Sequence, residues 1–247
     1  MTGVSTTPPP PTERGAAGAT RRMGRPPLIS RDQIAEAALE VGLSDLTLRA
    51  VADHLGVTTT ALYHHISGRD ELVQLAAERS ARRLRTPTDV DQHWAMWLMQ
   101  WAVHTRTAFV GDPALLDQFL DGVISPESVL HNVEAILDLL VRQGFSAADA
   151  LRSFELVSTC ALGSALGDVR DRRSVESGRG SRREALRSLT AEDERDLPLL
   201  RTTGVDEVDV EEEARAQFRA VILGIAALRG DDLDEIATAL DAPPPVG

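Results

Sequence analysis

Residues 46–73 read LTLRAVADHLGVTTTALYHHISGRDELV, and the reading of this stretch decides the fold. Thr47 is placed to cap a short helix whose Val51, Ala52 and Leu55 face inward and which Gly56 ends. Thr58 caps the next helix, which carries Leu62 and Ile66. Between the two, Gly56-Val57 supplies a tight corner, because glycine adopts the left-handed conformation that such a turn requires. Ala52 is small where two crossing helices pack closely, and Val51, Leu55, Val57 and Leu62 form a small core. The start of the second helix, Thr58-Thr59-Thr60-Ala61, is short and polar enough to approach base edges. Behind it, Tyr63, His64 and His65 bring donors suited to phosphate oxygens. Ser67 with Asp70 is expected to cap a further helix running through Leu72, Leu75, Ala76 and Arg79 to about Leu84.

Upstream, Ser30 and Gln33 form a capping box, and Ile34, Ala37, Ala38 and Val41 follow at helical spacing until Gly42. With this helix in front, residues 30–77 resemble the DNA-binding domain of the tetracycline-repressor (TetR) family of bacterial regulators. The resemblance lies in the Leu55-Gly56-Val57 turn, the Leu62-Tyr63-x-His65 block, and Arg69 followed by an acid before Leu72. It implies nine or ten helices, three in a DNA-binding head and the rest in a ligand-binding, dimerising body. It also implies that Thr59 and Thr60 meet bases and that Arg49 reaches into the groove. Thr47, Tyr63, His65 and Arg69 match phosphate-contact positions. Thr58 and His64 complete the candidate set; His64 falls where the family often has an aromatic residue, and Thr60 where some members have proline. Which of His64 and His65 touches DNA stays open.

The charge distribution agrees with a DNA-facing front. The 247-residue chain carries 26 arginines, no lysine and 38 acids, for a net charge of −12. Residues 1–85 are nevertheless net +2, and residues 86–247 net −14. Residues 1–29, Thr/Pro-rich and then Gly/Ala-rich, are expected to be disordered. Arg14, Arg21, Arg22 and Arg25 within them make either a solvated tail or an arm lying against DNA. The single cysteine, Cys160, excludes a disulfide framework and a Cys-based zinc site. The longest apolar run, Ala220 to Leu228, is too short to span a bilayer, and no secretory signal is evident. A cytoplasmic protein with no membrane partner is expected.

No stretch has strand periodicity, so the fold class is all-α: a helix-turn-helix head at 30–77 and a larger helical body at 78–230. Asp112-Pro113 and Ser125-Pro126 each pair an N-cap with proline at the first helical position, and Ser146 with Asp149 opens another helix. Residues 171–209 are polar and broken by glycine and proline. They are expected to form a mobile connection with one short helix near 182–190. A last helix covers about 209–229, and residues 231–247 are expected to be a C-terminal tail.

Two stripes in the body invite functional readings. Trp94, Trp97 and Trp101 share one helix face with Leu98, Ala102 and Thr105. That face is either ordinary core or the wall of an apolar ligand pocket. Phe109, Phe119, His104, His131 and Phe154 are weaker candidates for the same pocket, and Asn132 and Glu134 are either polar anchors or surface. Cys160, Ala161 and Ser164 lie on a small-residue face, and Phe218, Val221, Ile222 and Ile225 lie on a broad apolar stripe of the last helix. The resemblance implies that two such helices per subunit form a four-helix dimer interface; the alternative is that both stripes are intramolecular core.

The leading expectation is a homodimeric transcriptional repressor that binds a palindromic operator in double-stranded DNA and is released by a small-molecule effector. The alternative is an activator or repressor whose body binds a protein partner or no ligand. An all-α enzyme lacks support: one reversed His131-x-x-Glu134 does not make a di-iron site, and no nucleophile-base spacing or phosphate loop occurs. No catalytic residue, metal or cofactor is therefore assigned.

Overall fold

The computed structural model describes residues 29–83, 86–125, 127, 129–181, 184, 185, 188, 197–201 and 209–243. The arm arginines, Arg14 to Arg25, and most of the connection between 182 and 208 lie outside the described residues.

The head assembles from its caps. Ser30 Oγ accepts the Gln33 N–H at 3.2 Å while Gln33 Oε1 accepts the Ser30 N–H at 2.9 Å, which opens α1 (Arg31–Val41). A 3₁₀ turn over Leu43–Asp45 follows. Thr47 Oγ1 accepts from the Ala50 N–H at the start of α2 (Leu48–Leu55). Gly56, at φ 67° and ψ 29°, ends α2 by donating to the Ala52 and Asp53 carbonyls. Thr58 Oγ1 accepts from Ala61 N–H and opens α3 (Thr59–Tyr63). Ile34, Ala38, Leu46, Val51, Leu62, Ile66, Leu72 and Ala76 close the core between α1, α2, α3 and α4 (Arg69–Arg83). Leu55 and Val57 pack on it only in part. Burying each large aliphatic here contributes about 1.5–3 kcal/mol.

One expected cap is corrected. Ser67 is bonded to Glu71, not Asp70: its N–H and hydroxyl both donate to Glu71 Oε2, at 2.6 and 2.8 Å.

The body is built round α5 (Trp94–Gly111), which is apolar on most of its circumference and accordingly surrounded. It packs against α6 (Pro113–Leu120), α8 (Ala147–Glu176), α10 (Val210–Arg229) and α11 (Leu233–Asp241). α7 (Leu130–Arg142) lies on α8, and α9 (Pro198–Arg201) is a single turn. Asp112 caps α6 through Leu115 N–H with Pro113 at its first turn, as expected. The start expected at Ser125-Pro126 lies outside the described residues, since Pro126 is not among them; α7 begins at Leu130, behind Val129, which makes no side-chain cap. No strand occurs among the described residues.

Two boundaries move. α8 continues to Glu176, into the expected connection, because Arg173 pairs with Asp117 of α6 and the Arg172 guanidinium donates to the Val110 carbonyl. The expected C-terminal tail contains α11, whose Ile236 is buried against α5 and α10. Asp232 caps α11, and Gly230 (φ 78°) makes the turn that sends it back onto the body. These additions bring the helices among the described residues to eleven.

Candidate nucleic-acid interface and ligand cavity

On the head, α2 and α3 meet at the Gly56 corner and leave one polar edge in solvent. Arg49 is exposed and only loosely paired with Asp53, at 3.8 Å. Thr59, Thr60, His64 and Arg69 are exposed, Tyr63 is 55% exposed, and His65 is half-buried. Thr47 and Thr58 use their oxygens as cap acceptors, which leaves each hydroxyl proton to donate outward. All nine candidates therefore lie on the head, and none is sunk in its core.

A polar clasp fixes the end of this edge. Arg31 pairs with Glu71 and also donates to the His65 carbonyl at 2.6 Å, while Ser67 holds Glu71 from the other side. The Ser67 backbone N–H, then its hydroxyl, then Arg31 bring the Glu71 carboxyl down to about 2. Its folded pKa lies below its unfolded one. The stabilisation is thus present above the ordinary glutamate range near 4.5 and disappears as pH falls through about 2. Urea unfolding measured between those limits is expected to lose stability more steeply in the parent than in Glu71→Gln. Parallel curves would show that the clasp contributes nothing.

In the body, a cavity of about 380 Å³ opens among α4, α5, α6, α7 and α8. Trp101, Phe109, Phe119 and Phe154 line it, as the sequence suggested, together with Thr105, Asn132 and Ala81. Trp101 and Phe154 meet at 5.5 Å between centroids, and Phe109 and Phe119 at 5.4 Å.

The other pocket candidates are not brought there. Trp97 stacks behind Trp101 at 6.1 Å and is 1% exposed, so it is core. Trp94 packs edge-on against Phe145, with the Arg229 guanidinium near both rings. His104 and His131 face solvent. Along the helix these three residues spread over about two turns, and only the end with Trp101 reaches the cavity.

The dimer candidates also divide. Ala161, Phe218, Ile222 and Ile225 are buried within the single chain, between α5, α8 and α10, and this corrects their assignment to an intermolecular face. Cys160, Ser164 and Val221 are half-buried at the rim of the outer α8–α10 face. That face instead exposes Leu156, Gly163 and Gly167 of α8, with Gly224 and Leu228 of α10. Leu228 is 90% exposed.

Sequence reasoning missed Arg106, which is 1% exposed. Its Nε donates to Ser164 Oγ and its two terminal nitrogens to Glu211 and Asp168, joining α5, α8 and α10. A lone arginine inside the apolar α5 was the available signal.

A helix-turn-helix head with an exposed donor edge, set on an all-helical body with an apolar cavity, defines a DNA-binding transcriptional regulator. Residues 32–76 match the sequence model of bacterial regulatory proteins, tetR family. An HTH-type transcriptional regulator of Saccharopolyspora erythraea is 27% identical over 191 residues, covering 73% of this chain and 81% of that one. The HTH-type transcriptional repressor DrrR1 of Streptomyces coeruleorubidus is 28% identical over 147 residues, covering 58% of this chain and 54% of that one. Among solved structures, the TetR family protein ActR of Streptomyces coelicolor, in complex with actinorhodin, superposes with a TM-score of 0.61 at 22% identity. That match covers 82% of this chain and 99% of the other. The chain thus resembles the TetR family of bacterial regulators, in the sequence of its head and in the fold of the whole.

Proposed function

We propose that the protein is a homodimeric repressor that binds a palindromic operator and leaves it when a small molecule enters the body cavity. The observation that carries this reading is the position of Ala81. It lines the cavity, yet it belongs to α4, the helix that packs along α1 and completes the head. Phe119 does the same for α6, which touches both α4 and the 3₁₀ turn of the head. A molecule that fills the cavity presses on two helices that bear on the head. It thereby favours a head separation that no longer fits adjacent major grooves. By linkage, DNA weakens ligand binding by the same factor. The actinorhodin complex of ActR supports a ligand-responsive body in a protein of the same fold.

The dimer face in this proposal is the outer surface of α8 and α10. Glycines at 163, 167 and 224 allow close helix approach, and Leu156 and Leu228 supply apolar area otherwise left in water. Two heads about 34 Å apart match half-sites one DNA turn apart. The DNA contacts proposed are Arg49, Thr59 and Thr60 to bases, with Thr47, Thr58, Tyr63, His64, His65 and Arg69 to the backbone. The body acts by binding rather than by catalysis, and a cytoplasmic location follows from that role. No helix among the described residues is long and apolar enough to cross a membrane.

Selection of genomic fragments by the purified protein at fixed salt tests the reading. An enriched palindrome, bound with two chains per site, is expected. A folded protein that enriches no sequence, or binds as a single chain, overturns it.

A further inference from the structure

The cavity lining identifies the chemistry of the molecule it takes, an inference that rests on the ligand-responsive reading above. Four aromatic side chains form the walls, and none of the described lining residues is charged. The nearest cation on α5, Arg106, is committed to Asp168, Glu211 and Ser164. An ion entering here would lose its water without gaining a counter-charge, so neutral molecules are favoured.

The polar signal comes from Thr105. It is 5% exposed, lines the cavity, and its covered Oγ1 has no hydrogen-bond partner among the described residues. A helical threonine can satisfy its hydroxyl by bonding back to the carbonyl four residues earlier. Thr107, two positions on and exposed, does so to Val103 at 2.8 Å, whereas Thr105 does not. The Trp101 indole N–H is already satisfied by Ser158 Oγ at 3.0 Å. The Thr105 hydroxyl is thus the buried, unpartnered polar group of this wall among the described residues; the Asn132 amide and the Ser158 and Thr159 hydroxyls are the other polar groups of the lining, with the Ser158 oxygen taken by Trp101. At about 380 Å³ the space falls near the lower end of the roughly 300–1,000 Å³ of small-molecule sites.

We propose that the effector is an uncharged, flat aromatic molecule whose carbonyl oxygen accepts a hydrogen bond from Thr105. The aromatic faces stack between the Trp101–Phe154 and Phe109–Phe119 pairs, and rotation about Thr105 χ1 turns the hydroxyl, whose oxygen is covered in the free protein, towards the carbonyl that satisfies it.

Three probes of one frame test this by tryptophan quenching: 9-fluorenone, fluorene without the oxygen, and fluorenone-2-carboxylate with a charge. Fluorenone is expected to bind at least about tenfold more tightly than the carboxylate. Thr105→Val is expected to weaken fluorenone about tenfold and leave fluorene unchanged, the size of one lost hydrogen bond. The free Thr105→Val protein is expected to melt higher than the parent, since the substitution removes an unpaired buried hydroxyl. The proposal is overturned if the carboxylate binds as tightly as fluorenone, if Thr105→Val affects both neutral probes alike, if none of the three binds, or if the variant melts lower. Operator release is read on the same samples. Fluorenone that binds as expected but leaves DNA bound supports this assignment and overturns only the release mechanism; a carboxylate that binds tightly and releases DNA does the reverse.

Discussion

Arg49→Ala combined with Tyr63→Ala is expected to abolish operator binding while leaving a protein that folds like the parent. Both side chains are largely in solvent, 88% for the Arg49 side chain and 55% for Tyr63, so their removal leaves no cavity. Stability should change by no more than about 0.5 kcal/mol, as for surface substitutions elsewhere. Binding is a different matter. A bidentate arginine–guanine contact contributes about 1–3 kcal/mol of discrimination, and in the proposed interface the tyrosine adds a phosphate bond beside it. A dimer loses both contacts twice, so affinity should fall by more than about 100-fold. Fluorescence anisotropy on the selected operator, with circular dichroism on the same preparation, measures both. Unchanged affinity would remove Arg49 and Tyr63 from the interface.

The largest expected effect on stability comes from Arg106→Ala. Arg106 holds Asp168 of α8 and Glu211 of α10 at once, with Ser164 as a third partner, from a position that water does not reach. Its loss leaves two carboxylates sharing a site without their counter-charge, and a hole between three helices. Breaking a fully buried pair costs about 3–5 kcal/mol; the Asp168 and Glu211 side chains are 26% and 59% exposed, so water offsets part of it and the lower end is expected here. In a chain of this size, roughly 2–4 °C of melting temperature accompanies each kcal/mol, so a drop of at least about 6 °C is expected. The triple variant Arg106→Met, Asp168→Asn, Glu211→Gln should recover part of it, because no carboxylate is then left without its counter-charge. Melting curves at one protein concentration decide the matter. A single variant as stable as the parent would mean that packing alone holds these helices.

The head was legible from its residues because its determinants are local. Each cap spans three or four positions, as in Ser30 with Gln33, Thr47 with Ala50, and Thr58 with Ala61. Gly56 carries the left-handed turn by itself. The misplaced partner of Ser67 shows the limit of such reasoning. Asp70 and Glu71 are both near enough in sequence, and Arg31, from another helix, gathers the charge at Glu71.

In the body, helical spacing revealed that faces are buried but not what they are buried against. Phe218 and Ile222 have the same periodic signature whether they meet α5 and α8 of their own chain or a second copy, and they meet their own. Trp94 and Trp101 share a stripe, yet one lies beside Phe145 and the other opens on the cavity. The sequence by itself determined the all-α class, the helix-turn-helix and the exposed donor edge, because helix caps, turns and hydrophobic periods are set within a few residues. Only the tertiary structure decided the cavity lining, the unpaired hydroxyl of Thr105 and the ion cluster of Arg106. Its partners lie 58, 62 and 105 positions along the chain, and no local pattern encodes which helices come together at that distance.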